Sequence, residues 1–192
     1  MRQIIAALQI SLDGYIEGPQ GELDWVDSWE DRFGLVDRVD TFLLGAGMYP
    51  GYEAYWSAIQ ADPTAVLPFA GRPALPYEIE YAQVAARTAH VVLSRTLSTV
   101  AWPQTRIVCE LDELRRLKAL PGRDMHAVGG AAFVSSLLNA GLVDELCLVV
   151  QPVLLGAGKP LFAGLSARQR LRLREAVALE DGLARLTYSL SD

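Results

Sequence analysis

Short apolar runs recur along the chain and alternate with stretches in which apolar residues return every three or four positions. Runs of three to five apolar residues that are closed by polar turns are typical of strands buried on both faces of a sheet. We expect such strands at residues 4–8, 42–44, 90–93, 126–128 and 146–150.

The segments between these strands have helical periodicity. Apolar residues at positions 26, 29, 33, 36 and 39 predict an amphipathic helix over residues 25–39. Further helices are expected at residues 52–59, 77–87, 111–120 and 131–140. Four prolines between Ala61 and Pro76 predict a surface excursion there.

The end of the chain predicts a β-hairpin. Residues 171–174 and 183–190 alternate apolar and polar side chains on either side of Asp181-Gly182, a turn sequence. Strands that alternate with helices and end in a hairpin indicate an α/β fold, with a largely parallel sheet, helices on both faces and an antiparallel edge. Ligands of such sheets bind at the carboxyl ends of the strands.

Length and composition narrow the possible classes of protein. The 192 residues fit a single domain, 1–192, and the 51% hydrophobic content leaves material for a subunit interface, so we expect a homodimer. The net charge of −6, with no basic stripe longer than Arg115-Arg116 with Lys118, argues against nucleic acid as a partner. No segment approaches the ~20 apolar residues that span a bilayer, so no membrane partner is expected.

Cysteine usage and the amino-terminal segment favour a cytoplasmic location. Cys109 and Cys147 lie alone in apolar segments, which is typical of small buried thiols and not of a disulfide. The apolar run at residues 4–10 lacks the small-residue cleavage pattern of a signal peptide.

Two glycines stand where a strand is expected to lead into a helix. Gly129-Gly130 would let a phosphate approach exposed backbone N–H groups at the positive end of the helix dipole. A tight turn that needs glycine only for its dihedral angles explains the pair equally well.

Two further turns at strand ends are compatible with phosphate. Ser94-Arg95-Thr96 places a guanidinium between two hydroxyls, a suitable clasp for a phosphate monoester, although a solvated polar turn is the alternative. Gly45-Ala46-Gly47 allows a close backbone approach after strand 42–44, with a plain loop as its alternative.

Reactive side chains are few. No serine stands in a nucleophile elbow, and His90 and His126 have no ligand partners at metal-binding spacing, so neither covalent catalysis nor a metal is expected. This scarcity suits an enzyme that borrows a nicotinamide, because the cofactor carries the chemistry and the protein supplies position and electrostatics.

Acidic residues surround the start of the first predicted helix: Glu22, Asp24, Asp27, Glu30 and Asp31. Acids favour helix N-termini in any case, through capping and the dipole. Asp27, one turn into the helix, is the candidate for contact with substrate. Trp25 fits a core position, but a Trp after a mobile loop could also support a flat heterocycle.

Five stretches, which follow one another in family order, carry a resemblance to a known family: SLDGYI from Ser11, LLG from Leu43, VLSRTL from Val92, VGGA from Val128 and PVLLGAGKPLF from Pro152. Together they resemble the dihydrofolate-reductase-like superfamily and, within it, the RibD C-terminal domain family, whose namesake is the pyrimidine reductase of riboflavin biosynthesis. The resemblance implies a three-layer α/β/α fold with a mostly parallel mixed central sheet and a C-terminal antiparallel hairpin. It also implies a homodimer.

The resemblance further implies NADPH as the cofactor and assigns residues to it. The pyrophosphate would be held by Gly129, Gly130 and Ala131. The adenosine 2′-phosphate would be held by Ser94, Arg95 and Thr96. The Asp13-Gly14-Tyr15-Ile16 loop would cover the nicotinamide, with Gly14, Tyr15 and Ile16 as its cofactor contacts, and Gly45 and Gly47 would complete the cofactor site.

One departure concerns the turn after Gly45, where the family usually has Arg and then Thr two residues on. This chain has Ala46, Gly47 and Met48 there, so half of the expected phosphate clasp is missing. We expect an NADPH-dependent reductase of a pteridine or a ribosylaminopyrimidine. The alternative is a non-catalytic dimeric domain that binds a nucleotide or small ligand.

The chemistry assigned to this reductase is hydride transfer to an electrophilic C=N or C=O carbon. The proton would come from water or from a loop carboxylate such as Asp13. Asp27 is the second catalytic candidate, and Trp25 and Gln151 are the expected substrate contacts.

Overall fold

The central sheet has eight strands in the structure, a computed structural model that describes residues 1–26, 31–67 and 70–190. In chain order the strands are β1 Ile4–Ser11, β2 Tyr15–Glu17, β3 Val39–Gly45, β4 Ala89–Leu93, β5 Thr105–Val108, β6 Asp124–Gly129, β7 Glu145–Gln151, β8 Lys159–Pro160, β9 Arg172–Ala178 and β10 Ala184–Ser189. The order across the large sheet is β5-β4-β3-β6-β1-β7-β10-β9, while β2 and β8 form a separate pair.

The direction of the strands confirms the predicted fold class. Neighbours from β5 to β7 run parallel, and β10 is antiparallel to both β7 and β9. The mostly parallel sheet therefore ends in the predicted hairpin. Asp181 adopts a positive φ of 57° in the turn between β9 and β10, a conformation that Asp tolerates better than most residues.

Helices cover both faces of this sheet. They are α1 Tyr49–Ala61, α2 Pro76–Arg87, α3 Leu111–Ala119 and α4 Ala131–Asn139. Because successive side chains of a strand point to opposite faces, Ile4 and Ala6 of β1 pack in one core with α3 and α4, whereas Ile5 and Ala7 pack in the other with α1 and α2. Among the described residues, no helix has the length and apolar character that a bilayer crossing requires.

The helix predicted over residues 25–39 is wrong for the part of it that the structure describes. Residues 31–38 form turns, and Val39 already belongs to β3. The Asp31 carboxylate accepts the N–H groups of Leu35 and Val36, both at 2.9 Å, which stabilises a turn. Apolar side chains recur here at helical spacing because Phe33, Val36 and Val39 line a cavity.

Other differences are smaller. The predicted segment 52–59 is part of a longer helix, α1, and three short strands, β2, β5 and β8, lie outside the predicted elements. Cys147 is buried as expected, but Cys109 is exposed, so the prediction of a buried thiol is wrong there. Both thiols are free.

Candidate functional site

A cavity of about 570 Å³ lies at the carboxyl ends of the parallel strands. We call it the main cavity. The turn at the end of β3, Gly45 to Met48, lines it together with the turn at the end of β6, Gly129 to Ala132. Two of the three turns predicted to accept phosphate are therefore brought to the same cavity, at the edge where ligands of parallel sheets bind.

Two helices begin at this cavity. Helix α1 follows Met48 and helix α4 follows Gly130; neither has a side-chain cap or an acidic residue in its first turn. The first N–H groups of a helix have no partner within the helix and carry its positive dipole end. Gly47 and Gly130 have no atom within 4 Å of the place where a Cβ would lie, so there is open space beside both helix starts.

The other two glycines of these turns are needed for packing and conformation. A Cβ on Gly45 would lie 2.8 Å from the Cβ of Phe133 in α4. Gly129 has a φ of +140°, which strains any other residue, and its peptide bond to Gly130 is cis. The conformational explanation of the Gly129-Gly130 pair therefore holds for Gly129, while Gly130 faces open space.

The third turn, Ser94-Arg95-Thr96, lies at a second cavity of about 500 Å³. The two cavities adjoin, because Ala46, Leu93 and Ser136 line both. Ser94 and Arg95 line the second cavity, and Arg95 is exposed. The Ser94 hydroxyl oxygen accepts the backbone N–H groups of Thr96 at 3.1 Å and Leu97 at 2.8 Å, so Ser94 also shapes the turn.

Acidic side chains share the second cavity with Arg95. Glu110 and Asp112, at the start of α3, both line it, and Asp112 forms an ion pair with Arg115 at 3.3 Å. Arg95 is the only cation in the described lining of this cavity. Ala46, which stands where the family usually has Arg, adds no charge.

The loop from Ser11 to Ile16 is fastened to the segment after β7 by Asp13. The Asp13 carboxylate accepts the N–H groups of Leu155 at 3.2 Å and Gly156 at 2.7 Å, as well as the Ser11 hydroxyl at 2.7 Å. The Ser11 hydrogen bond is the main reason that the pKa of Asp13 lies below its usual value. This exposed carboxylate, which lies outside the cavity lining and accepts three hydrogen bonds, fits a fastening role, and its role as proton donor stays a prediction.

Within this loop only Ile16 lines the main cavity, together with Glu17, the residue that follows the loop. Gly14 has a φ of +88° and its carbonyl accepts the N–H of Leu161 at 3.1 Å, and Tyr15 pairs with β8. Gly14 and Tyr15 are thus placed to hold the loop in position, and Ile16 is the residue that contacts cavity space.

Aromatic side chains form one wall of the main cavity. This aromatic wall consists of Phe33, Phe42, Tyr81 and His126. The rings of Phe33 and Phe42 meet the His126 ring edge-on, at centroid distances of 5.8 and 5.7 Å. Such a wall presents flat apolar surfaces and excludes water from whatever lies against it.

His126 is a neutral member of this wall. Burial lowers the pKa of its imidazole, and its Nε2 lies 3.0 Å from the carbonyl oxygen of Ala7. Because a carbonyl only accepts hydrogen bonds, Nε2 carries the proton, and Nδ1 is a hydrogen-bond acceptor.

The predicted catalytic and substrate residues have different positions. Asp27 lies outside the described residues. Trp25 is half-buried, and its Nε1 donates to the Glu22 carbonyl at 3.2 Å; its neighbours Leu23 and Val26 line the main cavity, but Trp25 does not. Gln151 is buried and donates to the Gln9 side-chain oxygen at 2.6 Å.

Gln151 therefore reaches the main cavity only through Gln9, which lines it. Sequence reasoning considered His126 only as a metal ligand and did not assign Gln9 to the site. A polar residue within a buried strand gives no sign of which neighbours its side chain meets. Asp31 was part of the acidic cluster, and it lines the cavity with an exposed side chain. Among the described residues, no group of three His, Cys, Asp or Glu side chains is placed to hold a metal.

Comparisons with known proteins agree with this architecture. The family model described as RibD C-terminal domain matches residues 2–184. The uncharacterized protein YyaP of Bacillus subtilis (strain 168) is 32% identical in an alignment of length 191 that covers 97% of this chain and 94% of that protein. A second protein of the same strain, the uncharacterized YwjB, is 26% identical over 178 residues and covers 90% of each chain.

Solved structures show the same fold at low identity. A protein from Shewanella sp. PV-4 named "Putative riboflavin biosynthesis protein" has a TM-score of 0.70 at 23% identity, with 99% of both chains covered. The Enterococcus faecalis dihydrofolate reductase complexed with NADP(H) has a TM-score of 0.63 at 15% identity, covering 99% of this chain and 97% of that one.

A diaminohydroxyphosphoribosylaminopyrimidine deaminase/5-amino-6-(5-phosphoribosylamino)uracil reductase from Thermotoga maritima also has a TM-score of 0.63, at 15% identity. It covers 99% of this chain and 57% of that longer one. The fold is therefore dihydrofolate-reductase-like, and the chain belongs to the RibD C-terminal domain family.

Proposed function

We propose that this protein is an NADPH-dependent reductase of a flat nitrogen heterocycle of the pteridine or ribosylaminopyrimidine type. The observation that carries the proposal is the pair of uncapped helix starts, α1 and α4, which open on one cavity beside the vacant space at Gly47 and Gly130. Backbone amides at helix N-termini are suited to hold the pyrophosphate of a dinucleotide. The first turn of α4 contains no proline, whereas Pro50 in the first turn of α1 has no N–H to donate.

The residues of the site fit such a cofactor. Gly129, Gly130 and Ala131 would hold the pyrophosphate, and Arg95 at the adjoining second cavity would meet the adenosine 2′-phosphate. Ile16 would cover the nicotinamide. When bound, NADPH would supply the hydride.

The chain's own contribution is to orient the heterocycle and keep water away from it. The aromatic wall offers the flat surface, and neutral His126 offers an acceptor at Nδ1 for a ring N–H. Since Asp13 is engaged by backbone N–H groups, we assign the proton to water, with Asp27 still a predicted contributor.

Two of the similar structures support the reaction class. The Enterococcus faecalis protein is a reductase bound to NADP(H), and the Thermotoga maritima protein is named for a uracil reductase activity. Both share the fold of this chain at 15% identity, so their cofactor and reaction enter here as support for the proposal and not as properties of this chain.

The test is a fluorescence titration of the protein with NADPH, followed by cofactor oxidation assays with dihydropteridine and aminopyrimidine substrates. We expect saturable binding at micromolar concentrations and substrate-dependent oxidation. Absence of NADPH binding up to millimolar concentrations would overturn the proposal.

A second candidate is a non-catalytic dimeric domain that binds a nucleotide or small ligand. It is favoured by the turn Ala46-Gly47-Met48, which supplies no charged side chain, and by the fastened state of Asp13. Tight NADPH binding without oxidation of the cofactor by any heterocycle would select this candidate, and turnover would eliminate it.

We further propose one domain over residues 1–192, a homodimer and a cytoplasmic location. Both hydrophobic cores lie against the same sheet, which supports a single domain. Leu171 and Leu173, at the outer strand of the hairpin, are exposed large apolar side chains that a second copy would cover. Light scattering of the purified protein, with a Leu173→Lys variant for comparison, tests the dimer.

A further inference from the structure

The charges around the main cavity bear on which heterocycle it accepts. Three charged side chains line it in the described part of the chain: Glu17, Asp31 and Lys159. The Lys159 ammonium is already paired, with its Nζ 3.0 Å from Glu17 Oε1. The lining therefore carries one cation, two carboxylates and a net charge of −1, since His126 is neutral.

Among the described residues that line the main cavity, Lys159 is the only Lys or Arg. The eight residues outside the described ranges contain no Lys or Arg, and two of them, Asp27 and Glu30, are acids that adjoin Asp31 in sequence. The guanidinium of Arg32, next to Asp31, lies 3.9 Å from the Asp181 carboxylate, and Arg32 does not line the cavity.

The backbone amides do not replace the missing cation. The uncapped starts of α1 and α4 are the groups assigned above to the dinucleotide pyrophosphate. A phosphate monoester carries nearly two negative charges and is normally held by Arg or Lys or by a helix start. A phosphate on the second ligand would instead meet Asp31 and an ion pair whose cation, Lys159, is already bound to Glu17.

We propose that the aromatic wall receives a heterocycle without phosphate or carboxylate, so that an unphosphorylated pteridine is preferred over a phosphoribosylated aminopyrimidine. This inference rests on the proposed function and narrows its substrate class. The ligand lies against the aromatic wall, chiefly against half-buried Phe33, since Phe42 is only 2% exposed. It donates a ring N–H to Nδ1 of His126, because Nε2 is already bound to the Ala7 carbonyl. Asp31 repels anionic substituents and tolerates neutral or protonated rings.

The test uses two fluorescent probes that differ by the phosphate alone: 6-hydroxymethylpterin and its monophosphate ester. Each is titrated into the full-length protein with and without NADP⁺, which permits no reduction. We expect the free pterin to bind at least about tenfold more tightly than the ester, with a gap that narrows at high salt. Equal affinities, tighter binding of the ester, or binding of neither probe would overturn the inference.

Two variants locate the cause of this preference. Asp31→Asn should reduce the ratio between the affinities of the free pterin and its ester by about twofold to threefold. The effect is small because an exposed carboxylate is partly screened. Asp37→Asn is the matched control, because Asp37 is an exposed acid nearby that does not line the cavity, and it should leave the gap unchanged. A gap that Asp31→Asn fails to change would contradict the assigned cause.

The outcome is separable from that of the proposed function, because NADPH binding is measured independently. Protein that binds NADPH but treats the two probes alike contradicts only the inference about the substrate. Protein that prefers the free pterin yet binds no NADPH contradicts only the proposed reductase.

Discussion

The two ends of the central sheet differ in whether their charged groups are paired. At the amino ends of the strands, ionic groups are paired: Arg2 binds Asp40 and Thr41, Arg38 binds Glu145, and Lys118 binds Asp144. At the carboxyl ends, two helices begin without a cap, and Arg95 has no ion pair within the described residues. The charged pairs at the first end contribute to stability, whereas the second end leaves two helix starts and Arg95 available to a ligand, although Lys159 there is paired with Glu17.

A similar contrast exists among the helix starts. Helices α2 and α3 carry acids in their first turns, and Glu113 accepts the N–H of Cys109 at 2.9 Å while Glu78 accepts that of Leu75 at 2.7 Å. Helices α1 and α4 have none. An anion-binding site requires such vacant amides, so the location of capping acids separates structural helix starts from candidate binding ones.

The largest expected effect comes from giving α4 a charged cap. Gly130→Asp places a carboxylate at the helix start, where the extended backbone and open space accept a side chain. We expect NADPH affinity to fall about a hundredfold or more, roughly 3 kcal/mol, with an unchanged or higher Tm. Gly130→Asn introduces an uncharged cap and should reduce NADPH affinity much less. Equal reductions in the two variants would mean that charge at this helix start is irrelevant to NADPH binding.

A substitution at the amino ends of the strands should change the stability of the protein and not its affinity for NADPH. Asp144→Ala leaves the Lys118 ammonium, whose side chain is 11% exposed, without its partner at 2.7 Å, and also removes the acceptor of the Ile4 N–H. We expect a loss of about 2–3 kcal/mol in the free energy of unfolding, measured with urea. NADPH affinity should be unchanged. Glu175→Ala, which removes an exposed ion pair with Arg185, is the control and should cost under about 0.5 kcal/mol.

A substitution of Arg95 tests whether the second cavity, at the carboxyl end of β4, holds the 2′-phosphate. Arg95→Ala should weaken NADPH about tenfold, or about 1.4 kcal/mol, and leave NADH affinity unchanged, because only NADPH has the 2′-phosphate. Titration with both dinucleotides makes the measurement. Parallel losses for NADPH and NADH would show that Arg95 does not meet the 2′-phosphate.

His90, near the amino end of β4, should make the stability of the protein depend on pH. Burial lowers its pKa to about 4, so the unfolded chain, with a His pKa near 6.5, binds the proton first as the pH falls. Stability is therefore lost from about pH 6.5 downward, by about 1 kcal/mol between pH 7 and pH 5.5.

Urea unfolding at several pH values measures the slope of the free energy of unfolding against pH. Buried His126 contributes to this slope in the same direction. His90→Gln should make the slope clearly shallower. A slope that is the same in the variant would show that His90 accepts a proton in the folded state as readily as in the unfolded one.

The smallest effect is expected at Glu110, an exposed carboxylate that lines the second cavity. Glu110→Gln should strengthen NADPH binding about twofold and leave NADH unchanged, since removal of one screened negative charge favours the 2′-phosphate. Isothermal titration with the two dinucleotides resolves the difference. Weaker NADPH binding in this variant would contradict the assigned position of the 2′-phosphate.

Several features were readable from the sequence alone. Buried strands such as 4–8 and 146–150 were predicted because continuous apolar runs have few other structures available, and the Gly129-Gly130 turn was predicted because it joins a strand to a helix. The helix predicted over residues 25–39 failed in its described part because apolar side chains that line a cavity recur with the same spacing as those that face a core.

Local pattern thus determined the order of most strands and helices along the chain, the largely parallel sheet with its hairpin, and two of the turns that face the main cavity. Tertiary structure alone decided that Asp13 is fastened to Gly156, that His126 lies against the cavity, and that Lys159 is paired with Glu17. The physical reason is that these facts depend on contacts between segments more than a hundred residues apart, or on which face of a strand meets open space, and neither is encoded in neighbouring residues.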